Sequence, residues 1–306
     1  MNDLTRLLIL PRIKVQNANA LSSPFTIGFP AVTAWLGAVH ALQRHCQKAG
    51  FSQITFTGVG VVSHQFDLQT HRGSGDFVSS IIGTGNPLKK DGKRPSFIEE
   101  ARAHLTVTLV VEYHGIAPEQ KEAALTTIQH ILNGQLKIAG GDILNIETPY
   151  FTNTDSPANT SKLMRKLMPG YVLVERRELM EQAMAQGQDA LEALIDNVAV
   201  HHTCTQHNNT VTWQAMRKNK GWLVPIAVGY QGVSPLGQAL NQRDTDTPHR
   251  FAEAVVTLGE FKMAYRIESM NELLWRYEDN PENDVYVCKT QHNTTNNTLN
   301  DISQFF

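Results

Sequence analysis

Long apolar runs are missing from this chain of 306 residues: no stretch approaches the roughly 18 consecutive apolar residues of a membrane helix. Met1 to Pro11 also lacks the basic start and small-residue cleavage site of a secretory signal, so a cytoplasmic protein that meets no membrane is expected. Cysteine is scarce. Cys46, Cys204 and Cys288 are odd in number and far apart, which excludes a disulfide framework and suits reduced thiols. Positive charge is not in surplus either: 27 Lys and Arg face 29 Asp and Glu, a net charge of -2, so the chain is not one that coats nucleic acid unaided. His201, His202, Cys204 and His207 offer zinc donors at a spacing that matches no common site, and no metal is assigned. Gly83-Thr84-Gly85 is not followed by Lys and Ser or Thr, which excludes a nucleotide-hydrolase phosphate loop. No cofactor is expected.

With 41% apolar and 18% charged residues, the chain has enough apolar surface for one large domain or two ordinary ones. Leu7, Leu8, Ile9 and Leu10 open an apolar run, after which Ile13 and Val15 alternate with Arg12, Lys14 and Gln16; this predicts a strand leaving the core. Val32, Trp35, Leu36, Val39, Leu42 and Cys46 recur at helical spacing between Pro30 and Gly50. Ile54 to Val62 predicts a second strand in which Gly58 and Gly60 mark a bulge or a close backbone approach. From His64 to Arg102 glycine and proline dominate, a long excursion of the kind that tends to be functional. Leu105, Val107, Leu109 and Val111 then alternate in a third strand, and Pro118 starts a helix bearing Ala124, Ile128, Ile131 and Leu132. Leu136 to Ile146 is read as a fourth strand, interrupted at Gly140-Gly141.

This order predicts an α+β chain built on a ferredoxin-like, RRM-like βαββαβ core over residues 1–150, with 64–102 inserted between the second and third strands. Residues 151–306 are expected to pack on it as a mixed α/β extension. There we read a strand at Gly170 to Glu175, a helix over Glu178 to Val198 and a polar mobile loop over His201 to Thr210. GWLVPIAVGYQGVSPL reads as a strand with a glycine-bearing loop, followed by a last helix around Met270 to Tyr277. The tail from Gln291 to Asn300, rich in Asn and Thr, has the composition of a disordered segment.

Gln16, Asn17 and Asn19 end a basic strand with three amide side chains, donors and acceptors for base edges or sugar hydroxyls. From composition alone they suit Asx-type turns equally well. Ser22 and Ser23 lack the glycines of a nucleophile elbow and read as a turn. Positive residues cluster at Lys89, Lys90, Lys93 and Arg94, at Lys162, Arg165 and Lys166, and at Arg217, Lys218 and Lys220; any one cluster alone also fits a solvated loop. Twelve histidines invite acid–base chemistry on a ribose hydroxyl. Yet His40 sits on a helix, His64 and His71 flank the excursion and His104 faces outward from the third strand, so no catalytic residue is assigned.

Several segments are familiar: LLILPRIKVQNANALSSPFTIGFPAVTAWLGAVHALQR, GVGVVSHQF, GNPLKKDGKRPSFIEEARAHLTVTLVV, IAGGDIL, MPGYVLVER, GWLVPIAVGY, and TPHRFAEAVVTLGEFKMAYRI with MNELLW. Together they resemble, nearly end to end, the family of the second Csy protein of the type I-F CRISPR-Cas surveillance complex. QNANA with SSP and then GFP is the most specific piece; IAGG alone carries little. The resemblance implies a repeat-associated RNA-binding fold and a subunit that holds the 5′ handle of the guide RNA (crRNA). It implies pairing with the large Csy subunit at the foot of the complex and capping of the first backbone Csy subunit. Target DNA is a further candidate partner, met through the assembled complex. Guide maturation in this subtype belongs to a separate endoribonuclease, so no cleavage is implied.

Single-stranded RNA suits an exposed sheet face with a basic rim. The expected RNA contacts are therefore Arg12, Lys14, Gln16, Asn17 and Asn19, with Ser22 and Ser23 beside them. The excursion resembles a thumb laid across the guide, which adds Arg72, Lys89, Lys90, Lys93 and Arg94. Gly229, Tyr230 and Gln231, leading to Gly232, are expected to bring backbone amides to a phosphate and to stack Tyr230 on a base. Two rival readings remain: a metal-independent guide-processing endoribonuclease, and an interaction scaffold with little RNA contact.

Overall fold

The computed structural model describes residues 5–84, 87–96, 98–207, 210–242, 244–280 and 283–291. The Asn- and Thr-rich tail lies outside them. We number the strands of the main sheet β1 Arg6–Asn19, β2 Thr55–Leu68, β3 Arg102–His114, β4 Lys137–Ile138, β5 Gly141–Asn145, β6 Tyr150–Asn153, β7 Tyr171–Glu175, β8 Leu223–Gly232, β9 Ala252–Met263, β10 Trp275–Asn280 and β11 Val285–Thr290. The helices are α1 Val32–Lys48, α2 Lys121–Gly134, α3 Pro157–Lys166, α4 Arg177–Ala185, α5 Ala190–Val198 and the single turn α6 Met270–Leu273. Among these, none is long and apolar enough to cross a membrane.

The run Leu7 to Leu10 is apolar at every position because β1 is buried on both faces, as central strands are. Leu8 and Leu10 face α1 and α2, whose apolar stripes (Trp35, Val39 and Leu42; Ala124, Ile128 and Ile131) close one side. Leu7 and Ile9 face the other side, under Leu163, Met164 and Leu167 of the α3 region and Leu273 and Leu274. Beyond Pro11 that second side is uncovered: Lys14 and Gln16 reach solvent while Ile13 and Val15 stay buried beneath the helices.

The first three strands and the helices α1 and α2 fall where they were read, but the expected ferredoxin-like core with a mixed C-terminal half is overturned. The main sheet of the described residues is antiparallel and has 11 strands, ordered β4-β5-β1-β3-β2-β7-β9-β8-β11-β10 with β6 also on β1, and small two-stranded ribbons lie outside it. Strand outweighs helix 42% to 26%, so the sheet carries the architecture. The physical reason lies at β2. In a small βαββαβ unit its outer edge would be open, and open edges are an aggregation hazard. Here β7 pairs with it at Val62 and Ser63, and β10 at Val59, so the sheet curls until both ends of the β7-to-β10 run meet one strand. Gly60 permits this closure, since a Cβ there would collide with the buried Leu273 side chain. Trp275, fully buried, donates Nε1–H to the Leu173 carbonyl at 2.9 Å and ties β10 to β7 across the curl.

Four local readings also change. The predicted strand over Leu136 to Ile146 is a tight hairpin, β4 with β5, because Ala139 and Gly140 both take positive φ (48° and 74°), the backbone of a tight turn whose twist suits paired strands. The predicted helix over Glu178 to Val198 is two helices, broken at Gly187 (φ 94°) and restarted by Asp189, which accepts the Glu192 N–H at 2.7 Å while Glu192 accepts from Asp189. The last helix ends at Leu273, and Trp275 already belongs to β10. The expected mobile loop over His201 to Thr210 is instead half of a two-stranded ribbon, His201–His207 paired with Thr210–Met216 in unbroken register. Its alternating threonines and Val211 and Trp213 are strand formers whose signal the histidines mask.

Candidate nucleic-acid interface

The uncovered side of β1, β3 and β2 is a polar surface laid out by register. Lys14 lies opposite Thr106, which lies opposite Gln65; one step on, His104 lies opposite Asp67. Two bulges shape its edge. Register slips between Leu10 and Ile13 and again between Val15 and Ala18, and each slip carries a residue in the left-handed region, Arg12 (φ 50°) and Asn17 (φ 56°). Such bulges re-aim side chains and free backbone groups from the ladder.

Side chains from β3 take up the freed amides. Thr108 Oγ1 accepts the Arg12 N–H at 3.1 Å, and His104 Nδ1 accepts the Asn17 N–H at 3.1 Å. Thr108 in turn donates its hydroxyl to His64 Nε2 (2.7 Å), and His64 Nδ1–H donates to the Pro169 carbonyl at 2.6 Å. With His64 neutral and its proton on Nδ1, each donor in this chain meets an acceptor. Burial pulls its imidazole below the usual range, opposed by the Pro169 hydrogen bond; the Arg12 charge lowers it further and Glu147 opposes that. The Arg12 side chain leans along the surface with Nη2 donating to the Met168 carbonyl at 3.3 Å.

The predicted ribbon residues separate into two kinds. Lys14 and Gln16 are exposed, and neither has an ion pair or side-chain hydrogen bond among the described residues. Asn17 exposes its side chain on the second bulge. Asn19, by contrast, forms the Asx-type turn: its Oδ1 accepts the Leu21 N–H at 3.2 Å and its Nδ2 donates to the Leu21 carbonyl at 2.9 Å. Ser22 and Ser23 belong to a small ribbon, Leu21–Ser23 against Thr26–Ile27, where both hydroxyls meet Thr26 Oγ1 (2.9 and 2.7 Å). That ribbon holds Phe25 out in solvent, 80% exposed.

The excursion leaves the sheet at Leu68 and returns at Arg102, beside Asn19 and at the same end as the Asn17 bulge. Leu68 and Ile81 root it against Ala20, Ala101 and Ala103. Lys89 to Lys93 make a tight turn in which Lys89 N–H donates to the Lys93 carbonyl at 3.0 Å and Gly92 takes φ 77°. Lys89, Lys90 and Arg94 have no carboxylate partner among the described residues, whereas Lys93 lies 3.6 Å from Asp91. Arg72 is spent locally, donating Nε–H to the Asp76 carbonyl at 2.8 Å. The excursion that carries these cations is therefore rooted at the end of the sheet that holds the Asn17 bulge.

The glycine-bearing loop expected at Gly229, Tyr230, Gln231 and Gly232 is strand. Its backbone pairs with β9 on one edge, and from Gly229 to Gln231 with β11 on the other, so these amides are not gathered into a phosphate nest. Gly229 is required by packing, since a Cβ there would strike Tyr286 and Val287. Tyr230, 47% exposed, stands opposite Tyr286, and Gln231 donates Nε2–H to the Asn283 carbonyl at 2.9 Å.

Residues 8–288 match the family model described as CRISPR-associated protein (Cas_Csy2). The chain belongs to the Csy2 family of type I-F CRISPR-associated proteins. A curated Csy2 relative, CRISPR-associated protein Csy2 of Pseudomonas aeruginosa (strain UCBPP-PA14), is 36% identical over 323 aligned positions that cover 95% of this chain and 97% of the relative. The Csy2 match starts within β1 and ends within β11, so the open face, the excursion and α3 all fall inside it.

Sequence reading alone does not assign His64, His104 and Thr108 to this surface. The one available signal is the alternation of β3, which puts His104, Thr106 and Thr108 on the face away from the helices. What it cannot supply is the register that sets them beside the β1 bulges.

Proposed function

We infer that this Csy2-family chain is a non-catalytic subunit of the type I-F CRISPR surveillance complex, and that it holds the 5′ handle of the guide RNA along the open face of β1, β3 and β2. The observation that carries this is the concurrence of that polar face, with its unpaired Lys14, Gln16 and Asn17, and the cationic excursion rooted at the same end. Phosphates meet Lys14, Lys89, Lys90 and Arg94, while Gln16 and Asn17 offer amides to bases splayed from a single strand. Asn19 and the Ser22–Ser23 hydroxyls shape the ribbon rather than touch RNA, because their polar atoms are already engaged.

Two of the four histidines weighed for acid–base chemistry, His64 and His104, are engaged in structural bonds, which supports the binding reading over an endoribonuclease. His64 holds both ring nitrogens in structural bonds, and His104 Nδ1 takes a backbone amide, so neither is poised over a ribose hydroxyl. The family resemblance adds the large and backbone Csy subunits as neighbours, target DNA reached through the assembly, and a cytoplasmic setting. A net charge of -2 suits a subunit that shares its RNA with partners supplying more positive charge.

Lys14→Glu tests the reading, since the side chain is exposed and the fold does not use it. Handle RNA titrated at several salt concentrations should bind more weakly, with the slope of log K against log salt reduced by ~0.7, the share of one phosphate. Affinity and slope equal to wild type would favour the scaffold reading instead.

A further inference from the structure

Two adjoining concavities lie outside the ribbon and the excursion. One, of about 390 Å³, sits between β1, residues 147–150 and the end of α3, and is lined by Arg12, Thr108, Glu147, Thr148, Tyr150 and Lys166 among others. The second, about 240 Å³, continues along α3, shares Tyr150 and Lys166, and adds Asn159 and Lys162. Together they form a groove that starts at the Arg12 bulge and runs away from the excursion.

We propose that this groove is a ribonucleotide pocket in which Lys162 and Lys166 neutralise neighbouring phosphates and Glu147 accepts a sugar 2′-hydroxyl. The proposal rests on the guide-RNA reading and extends it to residues that reading does not use. Arg12 and Lys166 line the first concavity with Glu147, Lys162 joins Lys166 in the second, and none of the four is in an ion pair among the described residues. Lys162 and Lys166 are four apart on α3 and so share a helix face with Cβ atoms about 5–6 Å from each other, the scale of one nucleotide step. Tyr150 fixes the second of them: the Lys166 ammonium stands 4.7 Å from the centre of its ring. Burial raises the Tyr150 phenol, so the ring stays neutral beneath that charge.

A helix-dipole role accounts for Arg165 and Lys166 in the last turn of α3, but it does not call for Lys162 a turn earlier. Glu147 is the discriminating feature. A carboxylate repels phosphate, yet accepts hydrogen bonds from hydroxyls, and DNA has no 2′-hydroxyl to give. A pocket built only for anions would gain nothing from it.

The test titrates the full chain with labelled single-stranded RNA and DNA of one sequence, the guide's 5′ handle, over a salt series. Lys162→Ala with Lys166→Ala should weaken RNA binding and reduce the salt slope by ~0.7 per lysine removed. Glu147→Ala, which removes the acceptor, should narrow the preference for RNA over DNA. Urea midpoints check folding, and Lys→Gln variants repeat the slope measurement should alanine lower them. An unchanged slope in the double variant, where Lys14→Glu does reduce it, overturns the groove and leaves the guide-RNA reading standing. An unchanged RNA-to-DNA ratio in Glu147→Ala overturns the hydroxyl contact. Failure of the wild-type chain to bind handle RNA removes both.

Discussion

Thr108 holds the first bulge of β1 in place by serving two partners at once, accepting the Arg12 amide hydrogen and donating to His64. Thr108→Val keeps the shape and removes both bonds, leaving a backbone N–H and a ring nitrogen without partners in a partly buried spot. The expected loss is about 1–2 kcal/mol, read as a lower urea midpoint at unchanged m. His64 makes the same network sensitive to acid. Its folded pKa lies below its unfolded value, so between the two the unfolded chain binds more protons and stability rises with pH. The His64 contribution is therefore complete above the ordinary imidazole value of 6.5 and declines as pH falls through it toward the folded value. Denaturation midpoints measured from pH 7.5 down to 5 should show this decline in the wild type, and a shallower one in His64→Gln. Little of this is legible in the sequence. That His104 faces outward follows from alternation, but the spacing between His64, Thr108 and Arg12 is 44 and 96 residues along the chain, and only folding brings them together.

Among the elements, those with strong local patterning read through cleanly: α1 between Pro30 and Gly50, α2 after Pro118, and the alternation of β3. The errors fall where two patterns share one composition. A polar stretch rich in His and Thr serves a loop or a two-stranded ribbon alike, and glycines at 229 and 232 serve a loop or a closely packed strand. Neither ambiguity is resolved without knowing what lies alongside. The excursion is the element on which the proposed function leans hardest. Its unpaired cations sit on a tight turn that the core does not need, so Lys89→Glu with Lys90→Glu and Arg94→Glu should leave the thermal midpoint within about 2 °C of wild type, since surface changes cost within about ±0.5 kcal/mol each. Handle RNA should nevertheless bind at least roughly tenfold more weakly at low salt, and the deficit should shrink as salt is raised. A deficit that persists undiminished at high salt would point to damage in the fold rather than to the reversed charges.

On the scale of the whole molecule, one sheet curls from β5 through β1, β3 and β2 into the β7-to-β10 run and returns to β2. Local periodicity finds strands, yet it says nothing of which edges stay open, and so a continuous sheet reads as a small core with an appendage. The curl matters for the proposed function because it covers the outer edge of β2, while α3 covers part of the second face. The remaining uncovered area beside the β1 bulges is where the guide is assigned. Photocrosslinking within the co-expressed assembly, with 4-thiouridine placed in the 5′ handle and adducts mapped by mass spectrometry, tests that assignment most directly. Adducts should fall on residues 14–17, on His104 and on the excursion over 69–101. Handle adducts confined to the His201–His207 and Thr210–Met216 ribbon or to residues 233–251, with none on β1 or the excursion, would contradict the account.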